Sequence, residues 1–525
     1  MENLISLKEA SVWASDYLCK KVSTSNISYL VQYGRIKKYT NEKKVLIDVI
    51  ELKKYYENHS ISKETTHKEK FGEELNWALS FDNIRESETT KHVHRLHPYK
   101  GKFIPQLVEY FLDEHIDEFK KEKFFNKYDT VLDPFSGSGT TLVQAAELGI
   151  HSIGIDISEF NCLISNCKVN KHDLSELQKY IDDITSQLDR FVIASNILLF
   201  DKKLLDELSI FNNKFFPVPK YKYEVRNKII DEKEYAFSKE VAFLPIYQKL
   251  VKDFNINITC GDSDSFLEQW FIGNIRNELH FVKNLIDKIP NEKARHILYL
   301  LLSRTMRSCR ATTHSDLATL LSPVNETYYC KKHGKICKPL FSILKWWKSY
   351  SKDLLKRLSE FEGLKKDVQS ICINGDSRSV NILNELKNKN AKFYKKIEQD
   401  GIQGIFSSPP YVGVIDYHEQ HAYAYDLFNL ERKDESEIGP LYKGQGKAAQ
   451  KSYIEGISSV LINCKQYLAP DFNIFLVAND KYGLYPSIAE AADLRIVNQY
   501  LRPVLNRTEK DKNAYSEIIF HLKKK

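Results

Sequence analysis

Residues 128–158 read YDTVLDPFSGSGTTLVQAAELGIHSIGIDIS. Thr130–Leu132 is a short apolar run of β type, and PFSGSG follows as a turn whose glycines let backbone approach a ligand closely. Thr140 opens an amphipathic helix with Leu142, Val143, Ala146 and Leu148 on its apolar side. Ser152–Ile155 forms the next strand, and Asp156 stands at its end. The unit is therefore strand, glycine loop, helix, strand, acid. An acid at the second strand end accepts hydrogen bonds from a ribose diol. Asp133 closes the first strand, where an acid suits an ammonium group better than a pyrophosphate. The spacing is not that of a dinucleotide fingerprint, and no P-loop lysine follows. Glycine turns between strand and helix also occur in α/β proteins that bind nothing there.

Outward from this unit, residues 402–428 read IQGIFSSPPYVGVIDYHEQHAYAYDLF. Ile405–Phe406 ends a buried strand and SSPPY follows at once. Pro409 and Pro410 fix the backbone and turn a carbonyl outward without needing an amide donor. The Ser408 hydroxyl and the Pro409 carbonyl are adjacent acceptors, and Tyr411 offers a flat face. The bland alternative is a rigid strand-to-loop turn with a buried tyrosine. Residues 371–380, ICINGDSRSV, are a strand ending in Gly-Asp-Ser, with a helical stretch to about Glu398 before the SSPPY strand. A second Gly-Asp-Ser at 261–263 makes Asp262 a rival to Asp376. Asp376 is preferred because a single helix separates it from SSPPY. DYHEQHAYAYDLF reads as one helix behind the loop, with Tyr417, His418 and His421 in reach and the histidines mainly structural.

DPFSGSGTT and SSPPY together resemble the motifs of amino-group DNA methyltransferases, the N4-cytosine/N6-adenine family. The resemblance implies an α/β fold, a Rossmann-like S-adenosylmethionine-dependent methyltransferase sheet. By family role, Asp133, Phe135, Gly137, Gly139 and Thr140 hold the methionine part of the cofactor. Asp156, with Ile157, takes the ribose, and Asp376, with Ser377, the adenine. HPYKGKFIPQLVEYFL (97–112) resembles the family segment that covers the cofactor, with Lys102, Phe103 and Pro105 at matching positions; alone it reads as an amphipathic helix with a proline near its start. Ser408, Pro409, Pro410 and Tyr411 are the catalytic candidates. Acceptors for the amine hydrogens free the nitrogen lone pair from conjugation, and Tyr411 stacks on a base flipped out of the duplex. Serine before Pro-Pro-Tyr is usual in the family for 4-methylcytosine, and aspartate or asparagine for 6-methyladenine. The expected reaction is methyl transfer to the cytosine amino group of double-stranded DNA, alongside a cognate restriction endonuclease. An adenine or RNA amino-methyltransferase, or a DNA-binding regulator with an inactive fold, are the alternatives.

The chain has 525 residues, too long for one compact core. A net charge of +7 permits nucleic-acid binding without arguing for it. The apolar fraction of 42% is ordinary, no stretch has the length of a membrane helix, and no apolar signal core opens the chain. Nine scattered cysteines are not a disulfide framework, so a cytoplasmic protein is expected, prokaryotic as the resemblance implies.

Five segments are expected: a DNA-binding domain over 1–58, a polar linker over 59–90, the two methyltransferase parts over 91–170 and 371–525, and an inserted target-recognition region over 171–370. SVWASDYLCKKVSTSNISYLVQYGRIKKY (11–39) resembles a helix-turn-helix of the excisionase or MerR type. Ala14–Leu18 gives one helix, and Ser23, Thr24 and Ser25 cap a second that runs to about Tyr33 and stops at Gly34. Ser25, Asn26, Tyr29, Arg35, Lys37 and Lys38 are the candidate DNA contacts, and Lys43 and Lys44 flank the same small hairpin. A helical cap or a protein-docking module is the competing reading. In the insertion, Cys330, His333 and Cys337, with Cys309 or His314, offer thiolate and imidazole ligands that could hold zinc. The Cys-x2-His-x3-Cys spacing is not that of a common finger, and the sequence assigns no metal.

Overall fold

The computed structural model describes residues 3–18, 21–41, 44–60, 76–81, 84, 86–261, 263–314, 320–504 and 515–525. Two compact units emerge. One comprises 1–66, 187–279 and 308–344, the other 67–186, 280–307 and 345–525.

In the first unit, β1 (Leu4–Ser6), β2 (Tyr39–Asn41) and β3 (Lys44–Asp48) form an antiparallel sheet in the order β1-β3-β2. The helix Leu7–Tyr17 begins on a capping box between Ser6 and Glu9, and the helix Thr24–Gln32 on one between Ser23 and Asn26. Gly34, at φ +64°, follows the second helix, in the left-handed conformation expected at a helix end. The first helix is longer than Ala14–Leu18, because Ser6 supplies an earlier cap. A third helix, Val49–Ser60, completes a small core of Ala10, Ala14, Ile27, Val31, Ile36, Ile47, Leu52 and Tyr56. The helices Ile197–Phe215, Lys220–Arg226 and Glu232–Asp253 belong to the same unit. So does a hairpin of β6 (Tyr328–Cys330) and β7 (Lys335–Cys337).

The expected boundaries therefore shift. Segment 171–370 is not one inserted body, since its ends and residues 280–307 belong with the second unit. Its remainder packs with the N-terminal residues. Arg226 Nε donates to the Tyr33 carbonyl at 2.9 Å, and Lys222 Nζ lies 4.4 Å above the Tyr33 ring. Part of the expected linker is also ordered. Trp77–Ser80 forms a short 3-10 turn, Leu79 is buried, and Asn76 N donates to Leu501 O. Residues 61–75 of that linker lie outside the described residues.

The second unit is built on a seven-stranded sheet. β4 (Thr130–Asp133), β5 (His151–Asp156), β8 (Ser370–Asn374), β9 (Ile402–Ser407), β10 (Leu468–Ala478), β11 (Leu494–Pro503) and β12 (Ser516–Lys524) lie in the order β11-β12-β10-β9-β4-β5-β8. β12 runs antiparallel to both neighbours, and the other pairings are parallel. Successive side chains go to opposite faces. Leu132, Ile405, Ile474 and Leu476 enter one core, and Val131, Phe406, Phe475 and Val477 the other. A sheet buried on both faces needs this apolar character throughout. The helical stretch before β9 is two helices, Ile382–Lys389 and Ala391–Asp400. The helix expected after SSPPY breaks at His421 into Tyr417–Gln420 and Ala422–Phe428. Among the described residues no helix is long and apolar enough to cross a membrane.

Candidate active site

The chain leaves β4 for β5 and β8 on one side and returns to β9 and β10 on the other. The strand order thus reverses between β4 and β9, where a crevice opens beyond the carboxyl ends of parallel strands. The loop after β4 is pinned there by its own backbone. Ser136 N donates to Ile155 O at 3.0 Å, and Gly137 N donates to Asp156 Oδ2 at 2.7 Å. Gly137 and Gly139 adopt φ of +49° and +72°. A Cβ on Gly137 would lie 2.9 Å from Tyr99 Oη, and one on Gly139 would lie 2.8 Å from Ser165 Oγ. Both positions thus require glycine for conformation and for space. Lys168, fully buried, donates from Nζ to Ser138 O at 2.6 Å and holds the far side of the loop.

The resulting cleft has an open volume of about 890 Å³. Lys102, Phe103, Phe135, Gly137, Thr140, Asp156, Ile157, Asp376, Ser377, Ser408 and Pro410 all line it. Pro105, Asp133, Gly139, Pro409 and Tyr411 are not among the lining residues. Pro105 is the buried first residue of the helix Pro105–Leu112. Asp262 lies outside the described residues.

Asp133 is placed differently from the expectation of an acid facing a ligand. Its Oδ1 accepts from Ser407 Oγ at 2.6 Å and from Phe135 N at 3.2 Å, with 1% of the residue exposed. Burial pushes its pKa up to about 6 against these hydrogen bonds. It joins β4 to β9 and shapes the loop from beneath. Asp156 does face the cleft. It accepts from Gly137 N, from Ser158 N at 2.9 Å and from Asn161 Nδ2 at 3.1 Å, and burial raises it to about 6 as well. Burial also works against ionisation of Asp376, but hydrogen bonds from Arg378 outweigh it and hold the carboxyl below its usual range. Ser377 Oγ donates to Pro134 O at 2.6 Å and ties the two loops together. Lys102 Nζ donates to His94 O at 2.8 Å, and burial pulls its pKa down to about 8.

At the other end of the cleft, Ser408 Oγ donates to Val477 O at 3.1 Å. Its own proton is thereby committed, and the oxygen presents lone pairs as an acceptor. Tyr411 Oη donates to Glu517 Oε1 at 3.1 Å, while Glu517 Oε2 accepts from Arg502 Nη1 at 2.6 Å. The ring of Tyr411 is thus held by its polar end.

Tyr99, Ser158, Asn161, Tyr417, His418 and Glu437 also line the cleft. Tyr99 stands within the 97–112 segment, and Ser158 N-caps the helix Glu159–Val169, so both left a local signal. Glu437 left none. It accepts from His418 N at 2.7 Å and Tyr417 N at 3.3 Å, and burial raises it to about 7. His421 is fully buried, outside the lining, and pushed down to about 3 by burial.

Comparison with known proteins agrees with this geometry. A family model for DNA methylases matches residues 12–166. Over 531 residues the chain is 46% identical to the type II methyltransferase M.MjaII of Methanocaldococcus jannaschii, covering 99% of this chain and 97% of that protein. The chain belongs to the type II DNA methyltransferase family. Shorter matches join it to type II methyltransferases M.MvaI of Kocuria varians (32% identity over 118 residues, 22% of this chain and 24% of that protein) and M.BsoBI of Geobacillus stearothermophilus (34% over 101 residues, 19% and 18%). Membership in this amino-methyltransferase family implies an S-adenosylmethionine-dependent enzyme. The cleft of this methyltransferase suits such a group. Ser136 Oγ, Ser138 Oγ and Asn161 Oδ1 are buried beside the glycine loop without a protein partner, next to the Asp156 carboxylate.

Proposed function

We propose that this methyltransferase modifies the exocyclic amino nitrogen of cytosine in double-stranded DNA, yielding 4-methylcytosine. The observation that carries this reading is the state of Ser408: its hydroxyl proton is engaged by Val477 O, and the residue lines the cleft. An oxygen so held accepts a hydrogen of the target amine and draws the nitrogen out of conjugation. The Pro409 carbonyl is the second acceptor in this reading, and Tyr411 is the face on which the flipped base stacks. Asp156 would hold the cofactor ribose, Asp376 and Ser377 the adenine side, and Phe135, Gly137 and Thr140 the methionine side. When bound, S-adenosylmethionine supplies an electrophilic methyl group. The target nitrogen gains the methyl carbon and releases one hydrogen as a proton.

DNA contact by the N-terminal helices belongs to the same proposal. Ser25, Tyr29, Lys37 and Lys38 are exposed there. Arg35 is not a free contact, because its guanidinium bonds Tyr55 Oη, and Asn26 is engaged in capping with Ser23. A cognate restriction endonuclease would be the biological partner.

The test is mass spectrometry of nucleosides from DNA methylated by the purified chain. 4-Methylcytosine is expected. 6-Methyladenine would overturn the base assignment, and methylation of RNA in preference to DNA would overturn the substrate.

A further inference from the structure

The first unit contains a cluster that methyl transfer does not use. β6 and β7 form a hairpin of two three-residue strands, with Tyr328 opposite Cys337 and Cys330 opposite Lys335. Its turn is closed by His333 N and Gly334 N, which both donate to Cys330 O, with Gly334 at φ +64°. This folding brings His333 beside the strand ends. His314, from the chain before the hairpin, joins the same side. One ligand atom from each of His314, Cys330, His333 and Cys337 lies within 4.8 Å of every other. Cys309, the alternative fourth ligand in the sequence, is buried outside this set.

We propose that His314, Cys330, His333 and Cys337 bind one structural zinc ion. Zinc with two thiolates and two imidazoles is tetrahedral, with bonds of about 2.3 Å to sulfur and about 2.0–2.1 Å to nitrogen. Those bonds set ligand–ligand edges of roughly 3.3–3.8 Å. His333 Nδ1 already stands 3.4 Å from Cys337 Sγ, one such edge. The outer limit of 4.8 Å leaves about an ångström of closure for the remaining edges. Two thiolates and two neutral imidazoles around a divalent ion also sum to zero charge, which suits cysteines that are 0% and 8% exposed.

The surroundings fit a ligand set held from outside. Tyr328 Oη is 2.7 Å from His314 Nδ1 and also accepts from the His314 backbone N–H at 3.1 Å. A partner on Nδ1 fixes the ring and leaves Nε2 for the metal. Asn212 bonds both backbone groups of Ile336, and Glu240 Oε2 accepts from Tyr329 N. Tyr329 Oη donates to Glu232 Oε1 at 2.9 Å, and Lys222 Nζ donates to Lys332 O at 2.6 Å. Among the described residues the hairpin's own apolar cluster is small: Tyr328, Cys330 and Cys337, with Val324 packed against it. Two short strands with so small a core are marginal in water, and a metal supplies what the core lacks.

The test is metal analysis of the full chain, purified from zinc-containing medium and passed through metal-free buffer. Elemental mass spectrometry should find one zinc per chain. The cobalt-substituted chain should show the visible absorption of a tetrahedral site with thiolate ligands. Cys330→Ser and Cys337→Ser should each abolish stoichiometric zinc, whereas Cys309→Ser and Cys464→Ser should retain it. Tyr328→Phe should weaken zinc affinity by about tenfold. If the serine variants fail to fold, zinc content and the cobalt spectrum of the unmutated chain still decide. Absence of both overturns the proposal, as does a Cys330–Cys337 disulfide in the purified chain.

Discussion

The two units of this chain are built differently. The seven-stranded sheet has strands whose successive side chains fill two apolar cores, and its cleft sits where the strand order reverses. The unit formed by 1–66, 187–279 and 308–344 has short strands, helices packed on buried aromatics such as Phe200, Phe243 and Tyr247, and polar clasps such as Asn212, Glu240 and Lys222. Reacting atoms must be held to fractions of an ångström, and a doubly buried sheet does this without help from the clasps. Substitutions in the cleft should therefore change chemistry and leave folding largely intact, and substitutions in the clasps should do the reverse.

Ser408→Ala puts the greatest strain on that division. Turnover should fall by about 100- to 1,000-fold, the scale of removing one oriented polar group at a reacting centre, with DNA and cofactor affinity nearly unchanged. Tyr411 divides its contributions. Tyr411→Phe loses the hydroxyl's bond to Glu517, about 1 kcal/mol, and should keep much of the activity. Tyr411→Ala also loses stacking, about 1–3 kcal/mol, and should lose most of it. Equal losses in the two variants would place the hydroxyl, not the ring, at the reaction.

Asp156 gives the next largest effect. Asp156→Asn should weaken cofactor binding by about 2–3 kcal/mol, roughly 30- to 150-fold by calorimetry. A pH dependence follows from the same burial. The carboxyls of Asp133 and Asp156 are raised from 3.8 to about 6, so the folded chain binds their protons more tightly than the unfolded one. Their contribution to stability is fully present below pH 3.8 and is lost as pH rises through about 6. If Asp156 holds the ribose as proposed, cofactor affinity runs the other way and should fall as pH drops through about 6. Asp156→Asn should remove that step, and any step remaining near pH 7 belongs to Glu437. An affinity flat across this range would remove Asp156 from the ribose.

Why Asp133 surprised and Asp156 did not is a matter of range. A strand, a glycine turn and a helix are written locally, as are the apolar runs of β4 and β9. The direction in which a strand-end acid points depends on its neighbour. Asp133 turns to Ser407, which follows it by hundreds of residues in sequence and became adjacent only when β4 paired with β9. The composition of the first unit was hidden for the same reason: nothing local around Tyr33 announces Arg226. Glu437 is a single acid with no motif around it, and only folding brought it to the His418 backbone. Cys330, His333 and Cys337 were visible as a set, but their spacing could not show that His314, and not Cys309, completes it.

A smaller effect is expected at the exposed lysines of the first unit. Replacing both Lys37 and Lys38 by alanine should weaken DNA binding by about tenfold at low salt and shallow the salt slope by roughly one for each phosphate no longer neutralised. Methyl transfer at saturating DNA should not change. An unchanged slope would show that this surface serves another partner.

The smallest effect tests the clasps themselves. Lys222 Nζ lies 4.4 Å above the Tyr33 ring and donates to Lys332 O at 2.6 Å, so one side chain joins the N-terminal helices to the β6–β7 turn. Its stem also packs on Gly334, where an added Cβ would lie 2.8 Å from Lys222 Cε. Lys222→Met keeps the stem and removes the charge. A partly exposed cation over an aromatic ring contributes about 0.5–1 kcal/mol, and the hydrogen bond a similar net amount. The variant should therefore exchange backbone amides faster around 27–36 and 330–337, by several-fold, with cofactor affinity unaltered. If exchange stays at its original rate, the N-terminal helices are held by their own core of Ile27, Val31, Ile36 and Ile47, and the clasp follows from that packing and does not cause it.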